Sequence, residues 1–82
     1  MWRTLIYYKP GYIDLAEKLR DNYIAHQKAA DIISEEKEDD IEYAREKQYD
    51  EAIFIEGANT VIIHDIKTFY TNRCPISEVY YQ

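Results

Sequence analysis

Two apolar runs in the second half of the chain predict a β-hairpin. Residues 52–56 and 60–67 are rich in β-branched residues. The intervening residues 57–59 include glycine and asparagine, the residue types that most readily adopt a positive φ. Each run places apolar side chains on both faces of its strand: Ile53 and Ile55 oppose Ala52 and Phe54, and Val61 and Ile63 oppose Ile62 and Ile66. Because a sheet with one solvated face would alternate apolar and polar residues, the hairpin is predicted to lie inside a layered α/β domain with cover on both faces.

The beginning of the chain predicts a strand followed by a helix. Residues 2–8 form a continuous aromatic and aliphatic run, typical of a central strand, that ends at a Pro-Gly turn. Over residues 12–21 the apolar spacing changes to three or four, which favours a helix. Asn22 is predicted to end this helix in the left-handed conformation. The residues of its apolar stripe are Tyr12, Leu15, Ala16 and Leu19.

The middle of the chain predicts a second strand and a second helix. Residues 23–28 are expected to form the strand, and residues 29–33 a connection whose two isoleucines tuck under the domain. Ser34 is the predicted cap of a helix over residues 35–48. This helix begins with acidic residues and ends with basic ones, the order that complements its dipole.

The order of these elements, β-α-β-α-β-β, predicts an α/β fold with a mixed sheet of four to five strands and two helices. Right-handed crossovers make the first three strands parallel, and the short hairpin loop makes the fourth antiparallel to the third. Eighty-two residues are expected to form a single domain, 1–82. Residues 69–82 are predicted to be a polar tail or edge strand; for residues 76–82, a short edge strand and a frayed end are both compatible with the sequence.

Charge and cysteine content narrow the expected partners and location. The formal net charge of −6, with the ten basic residues scattered among acids, disfavours nucleic-acid phosphates and anionic lipid as partners. A single cysteine cannot form an internal disulfide, and no zinc-binding spacing surrounds it. No apolar run is long enough to span a membrane, and the N-terminus lacks the apolar segment of a signal peptide. These features predict a cytoplasmic protein.

The acidic run before the hairpin is a candidate for binding a divalent cation, because hard cations prefer carboxylate oxygens. Its members are Glu35, Glu36, Glu38, Asp39, Asp40 and Glu42. The run lacks the ordered acids around a glycine that a calcium-binding loop requires. A solvated helix face is therefore the favoured interpretation.

Two histidines and one cysteine are the other candidates for chemistry. His26 and His64 each lie alone in a predicted strand, without a second ligand at metal-binding spacing, so structural or surface roles are favoured. Cys74 would be a candidate nucleophile if His64 lay beside it. Nothing in its sequence neighbourhood favours a thiolate, and an ordinary thiol is the preferred interpretation.

The turn formed by Lys9, Pro10 and Gly11 is where an α/β protein could hold an anion on helix amides. The turn is not glycine-rich, and the whole chain contains two glycines, which excludes the Rossmann and P-loop fingerprints. The sequence therefore predicts no catalytic residue, no cofactor and no metal site, and a chain that is not an enzyme.

The nine tyrosines exceed what a core of this size can bury. They are Tyr7, Tyr8, Tyr12, Tyr23, Tyr43, Tyr49, Tyr70, Tyr80 and Tyr81. Two interpretations follow: most are half-buried at sheet edges, or together they form a docking surface for another domain or subunit.

The helix and strand patterns resemble those of a known domain family. The segments are 15–20, followed by a short strand, then 41–47, 52–57 and 60–68. They are similar to the C-terminal anticodon-binding-type domain of the histidyl-tRNA synthetase group, and most of all to that of the ATP phosphoribosyltransferase regulatory subunit. The similarity covers roughly residues 3–68 and is carried by helix and strand patterns, so no functional residue is transferred.

This resemblance implies a mixed α/β module with a regulatory or assembly role in histidine biosynthesis. The expected partner is a protein, either a synthetase-like core or the ATP phosphoribosyltransferase catalytic subunit. The acidic charge suits this regulatory role better than binding of nucleic acid. The alternative is a tRNA- or RNA-binding module of a synthetase-like protein that stacks bases on tyrosine.

Overall fold

The structure, a computed structural model, describes residues 2–34 and 40–82. The elements, in chain order, are β1 (Arg3–Tyr8), α1 (Ile13–Ala25), β2 (Ala29–Ser34), α2 (Asp40–Glu46), β3 (Glu51–Ile55), β4 (Thr60–Asp65), β5 (Thr71–Pro75) and a 3-10 turn (Ile76–Glu78). This is the predicted α/β fold with two helices, and its sheet has five strands.

The strand order in the sheet is β2-β1-β3-β4-β5. Strands β1, β2 and β3 are parallel, whereas β4 is antiparallel to β3 and β5 is antiparallel to β4. In the hairpin Ile53 lies opposite Ile63, and Ile55 lies opposite Val61. The predicted parallel direction of the first three strands and the predicted hairpin are therefore confirmed.

The two helices cover opposite faces of the sheet. The chain leaves β1 in one direction to form β2 and returns past β1 to form β3, so right-handed crossovers place α1 and α2 on different faces. The α1 face buries Ile6, Ala16, Leu19, Tyr23, Ala30, Ile53, Ile55, Val61 and Ile76. The α2 face buries Leu5, Tyr7, Ala44, Tyr49, Ala52 and Ile66. The predicted cover on both faces of the hairpin, for at least part of its length, is confirmed: Ile53, Ile55 and Val61 are buried on the α1 face and Ala52 on the α2 face.

The predicted strand over residues 23–28 is wrong, and so is the predicted helix end at Asn22. Helix α1 continues to Ala25 because Tyr23 extends the apolar stripe by one more turn and is only 4% exposed. The chain leaves the helix at Gln27, which adopts a φ of 62°. The segment predicted to be a connection is instead strand β2, where the parallel neighbour β1 fixes its register.

The second helix is shorter within the described residues than predicted. Helix α2 spans Asp40–Glu46, and Gln48, at a φ of 65°, follows its end. Ser34 is the last residue of β2. The predicted start of the helix at residues 35–39 lies outside the described residues.

Of the two alternatives for residues 69–82, an edge strand is present, at Thr71–Pro75. The short strand considered for residues 76–82 does not form. These residues begin with the 3-10 turn and then return to α1, where the Asn22 side chain donates to Tyr81 O at 2.9 Å and accepts from Tyr81 N at 2.8 Å. Neither α1 nor α2 is long and apolar enough to cross a membrane.

Candidate functional site

The loops at one end of the sheet have an unusual backbone. At this end, called here the amino end, β1, β2, β3 and β5 begin and β4 ends. Gln27, Gln48 and Phe69 are the non-glycine residues with a positive φ in the described chain, at 62°, 65° and 62°. All three lie in loops of the amino end, where such conformations cost on the order of 1 kcal/mol each for residues with a Cβ atom.

A cleft of about 660 Å³ lies at the amino end, on the α2 face. The first residue of β1, the last turn of α2, the α2–β3 loop and the β4–β5 loop line it. The lining residues are Arg3, Arg45, Gln48, Tyr49, Asp50, Ile66, Lys67 and Phe69. The volume lies within the range of about 300 to 1,000 Å³ typical of small-molecule sites.

Asp50 connects three elements in the wall of this cleft. Its Oδ2 accepts from Arg3 N at 2.8 Å, and its Oδ1 lies 3.2 Å from Lys67 Nζ. Its backbone N–H donates to Arg3 O, and its carbonyl accepts from Ile66 N. The hydrogen bond from Arg3 N, with help from Lys67, lowers the pKa of Asp50. The carboxylate is therefore ionised at neutral pH and both of its oxygens are occupied.

The guanidinium group of Arg3 lies over an aromatic ring. Its Cζ lies 4.4 Å from the centre of the Tyr49 ring, and its Nη1 donates to Lys47 O at 2.8 Å. Tyr49 is fixed in turn, because its hydroxyl donates to Asp31 Oδ2 at 2.7 Å. Burial, together with this hydrogen bond, raises the pKa of Tyr49 to about 12. The ring stays neutral and supports the guanidinium group in one orientation.

Arg45 repeats this arrangement on the other side of the cleft. Its Cζ lies 4.9 Å from the centre of the Phe69 ring, and its Nη1 lies 2.8 Å from Glu42 Oε2. Arg3, Arg45 and Lys67 therefore converge on one cavity, which corrects the expectation that the basic residues do not cluster. They are distant in sequence but meet because β1 begins, α2 ends and β4 ends at the same end of the sheet.

The β4–β5 loop presents two aromatic side chains on a fixed backbone. Asp65 Oδ1 accepts from Lys67 N and Thr68 N, both at 3.0 Å, and its backbone N–H donates to Tyr70 O at 2.8 Å. The hydrogen bond from Thr68 N lowers the pKa of Asp65. Phe69 is 65% exposed and Tyr70 is 67% exposed. These hydrogen bonds hold the loop backbone in a conformation that leaves both rings exposed to solvent.

The structure does not bring His64 and Cys74 together. His64 lies opposite Thr71, whereas Cys74 lies opposite Val61, three positions along β4. An odd separation places the two side chains on opposite faces of the sheet. Cys74 packs against the α1 face, where burial raises the pKa of its thiol. This is the direction that disfavours a thiolate, so the ordinary thiol is the interpretation that the geometry supports.

His26 and the described acidic residues of the run, Asp40 and Glu42, form no metal site. His26 follows α1, with its Nδ1 2.9 Å from Asn22 O, and does not share an element with His64. Asp40 and Glu42 lie on α2, and the other acids of the run lie outside the described residues. Among residues 2–34 and 40–82, no group of three or more histidine, cysteine or acidic side chains is placed to hold a metal ion.

The turn before α1 is not arranged around its lysine as an anion site. Gly11 adopts a φ of 97°, which explains the glycine there. Lys9 Nζ lies 5.9 Å from the Phe54 ring, on the α2 face, whereas α1 covers the other face. The lysine and the helix amides therefore point to different sides of the sheet.

Most tyrosines are buried or half-buried, as the first of the two interpretations predicts. Tyr7, Tyr23 and Tyr49 are at most 7% exposed. Tyr70 and Tyr81 are the exceptions, at 67% and 37% exposed, and the ring of Tyr70 lies at the amino end. Phe69, which is not a tyrosine, is a further exposed aromatic residue of the β4–β5 loop, and the sequence alone carried no signal for its role because β5 was not placed at Thr71–Pro75.

The amino end has the geometry of a binding surface, because positive charge, hydrogen-bond donors and aromatic rings meet in one cleft. Guanidinium groups stacked on rings are suited to anions, and exposed rings are suited to planar or apolar groups. No model of a known protein family matches this sequence, and no curated protein matches it.

Proposed function

We propose that this chain is a non-catalytic accessory domain that acts by protein–protein contact. One observation carries this proposal: the β4–β5 loop holds Phe69 and Tyr70 about two-thirds exposed on a backbone fixed by Asp65. Aromatic residues are enriched in the buried centres of protein interfaces. A loop that is already ordered loses little conformational entropy when a partner covers it.

The proposed role is that of the C-terminal domain of the ATP phosphoribosyltransferase regulatory subunit, in the cytoplasm and in histidine biosynthesis. The resemblance of helix and strand patterns over residues 3–68 supports this role. The five-stranded mixed sheet supports it at the level of architecture, since a mixed α/β module is what the resemblance implies. The proposed partner is the catalytic subunit or a synthetase-like core.

Analytical ultracentrifugation of this chain with an ATP phosphoribosyltransferase catalytic subunit tests the proposal. We expect a complex that Tyr70→Ser weakens about tenfold or more, because interface aromatics are frequent hot spots. Ile24→Ser is the matched control, since Ile24 is 54% exposed on α1, away from the β4–β5 loop. Absence of any complex, or equal weakening by the two substitutions, would contradict the proposal.

The second candidate is an RNA-binding module of the anticodon-binding type. The observation that favours it is the convergence of Arg3, Arg45 and Lys67 beside the exposed ring of Phe69. Such a module would bind tRNA with an affinity that falls steeply as salt increases. A flat titration with tRNA at low salt would exclude this candidate.

A further inference from the structure

We propose that the cleft at the amino end binds a small phosphate monoester that carries a planar ring, the chemistry of a mononucleotide. The proposal concerns a small molecule inside the cleft, so it goes beyond protein contact at the β4–β5 loop and does not depend on it. It rests on the charge of the cleft, on the hydrogen-bond donors that two arginines present, and on the ring of Phe69.

The cleft is positively charged in a chain whose net charge is −6. Arg3, Arg45 and Lys67 line it together with one carboxylate, that of Asp50. Both oxygens of this carboxylate are engaged, one by Arg3 N and the other by Lys67 Nζ. Glu42 adds a second carboxylate through its pair with Arg45, so three cations stand against two carboxylates, and the net local charge of +1 favours an anion.

The two arginines are oriented so that they can bind phosphate oxygens. Each guanidinium carbon lies over a ring, that of Arg3 4.4 Å from the centre of Tyr49 and that of Arg45 4.9 Å from the centre of Phe69. Arg3 uses Nη1 for Lys47 O, and Arg45 uses Nη1 for Glu42. A guanidinium has several N–H donors in a rigid fork, so each side chain keeps donors for a bidentate contact with a phosphate.

The remaining walls suit a planar ring. Ile66 is 5% exposed and provides an apolar base, while Phe69 offers a ring that is 65% exposed. Gln48 contributes an amide with both donor and acceptor atoms, which can pair with polar atoms at the edge of a heterocycle. Phe69 also adopts a left-handed φ of 62°. A bulky residue rarely keeps this conformation unless its position serves a function.

A nuclear magnetic resonance titration of the full chain with adenosine 5′-monophosphate tests this proposal. We expect amide shifts concentrated in residues 48–50 and 66–69, with a dissociation constant between about 10 μM and 1 mM. Adenosine and inorganic phosphate, each titrated alone, are expected to bind at least about tenfold more weakly than the nucleotide, because each makes only part of the contacts.

Arg45→Gln and Lys67→Gln are each expected to weaken nucleotide binding about tenfold, the effect of losing one charged hydrogen bond. Arg73→Gln is the matched control for Arg45→Gln. Each substitution removes one positive charge and one exposed arginine–glutamate pair, but the pair of Arg73 with Glu56 lies outside the cleft. Arg73→Gln is expected to change affinity less than about twofold.

Several outcomes would overturn the assignment. One is the absence of localised amide shifts at about 10 mM nucleotide. Another is an equal loss of nucleotide affinity in Arg73→Gln and Arg45→Gln. A third is that adenosine binds as tightly as the nucleotide. A single-stranded RNA that binds far more tightly than the nucleotide and shifts residues beyond the cleft would replace the small ligand with RNA. Tyr70→Ser separates the two proposals, because Tyr70 does not line the cleft and its loss should leave nucleotide affinity unchanged while partner binding falls.

Discussion

The two faces of the sheet are built differently, and the difference separates stability from binding. Helix α1 has 13 residues and helix α2 has 7, so the α1 face receives the longer cover within the described chain. The α1 face also packs Ile76, and its helix binds the tail through Asn22. Among the described residues the α2 face has a smaller buried cluster, and it opens into the charged cleft. We infer that α1 secures the fold, whereas α2 ends beside the cleft and contributes Arg45 to its lining.

The largest change in the free energy of unfolding is expected when a substitution creates a cavity on the α1 face. Leu19 is completely buried between α1 and the sheet. Leu19→Ala is expected to lower the free energy of unfolding by about 3 to 4 kcal/mol, measured by urea denaturation, because it loses burial and leaves a cavity. Ile24→Ala, on the exposed side of the same helix, is the control and should cost less than about 0.5 kcal/mol. If Ile66→Ala on the α2 face costs as much as Leu19→Ala, the two faces do not differ in this way.

The same comparison explains what could be predicted from the sequence. The hairpin and α1 could be predicted because the spacing of their apolar residues along the sequence shows which side chains are buried. Ile53, Ile55, Val61 and Leu19 are examples. The error at residues 23–28 arose because Tyr and Ile favour strands locally, while burial of Tyr23 against the sheet outweighed that preference. A local pattern cannot show such a tertiary effect.

The cleft was beyond sequence reasoning for a different reason. Arg3, Arg45 and Lys67 are separated by more than 20 residues from one another, and only the strand order brings them together. The left-handed backbone of Phe69 is equally invisible, since phenylalanine is not a residue that favours it. Long-range topology and an unfavourable local conformation are features that composition and period do not encode.

A smaller effect is expected on the α2 face from the Tyr49 hydroxyl. Tyr49→Phe removes its hydrogen bond to Asp31 and should lower the free energy of unfolding by about 1 kcal/mol at pH 7. The pKa of Tyr49 is raised to about 12 from an ordinary value of 10.0. Between these two values the unfolded chain loses this proton first, so stability should fall as pH rises from about 10 to 12.

The pH dependence can be assigned to Tyr49 with the same variant. Urea denaturation between about pH 10 and 12 should show that the free energy of unfolding decreases with pH. The total decrease should be about 2 kcal/mol smaller in Tyr49→Phe than in the natural sequence. Burial also raises the pKa of Tyr23, so part of the decline should persist in the variant. Identical slopes for the variant and the natural sequence would show that Tyr49 is not held neutral by its surroundings.

The smallest expected effect on stability concerns Phe69, and its sign is informative. Phe69→Gly should relieve the cost of the left-handed φ, a gain of about 1 kcal/mol, and lose the contact with Arg45, a loss of about 0.5 to 1 kcal/mol. The net change in the free energy of unfolding is therefore near zero or slightly stabilising. Phe69→Ala is the control, since it loses the same ring but keeps the strain, and it should be about 1 kcal/mol less stable than Phe69→Gly.

In this pair of variants nucleotide binding should not follow stability. Both variants lack the aromatic ring, so both should weaken binding of adenosine 5′-monophosphate, although one of them is as stable as the natural sequence. Such a result would mean that phenylalanine at position 69 is present for its exposed ring, because glycine satisfies the backbone better. If Phe69→Gly is instead less stable than Phe69→Ala, the left-handed backbone at position 69 carries no energetic cost. The conformation of Phe69 would then be no evidence that the β4–β5 loop is a binding site.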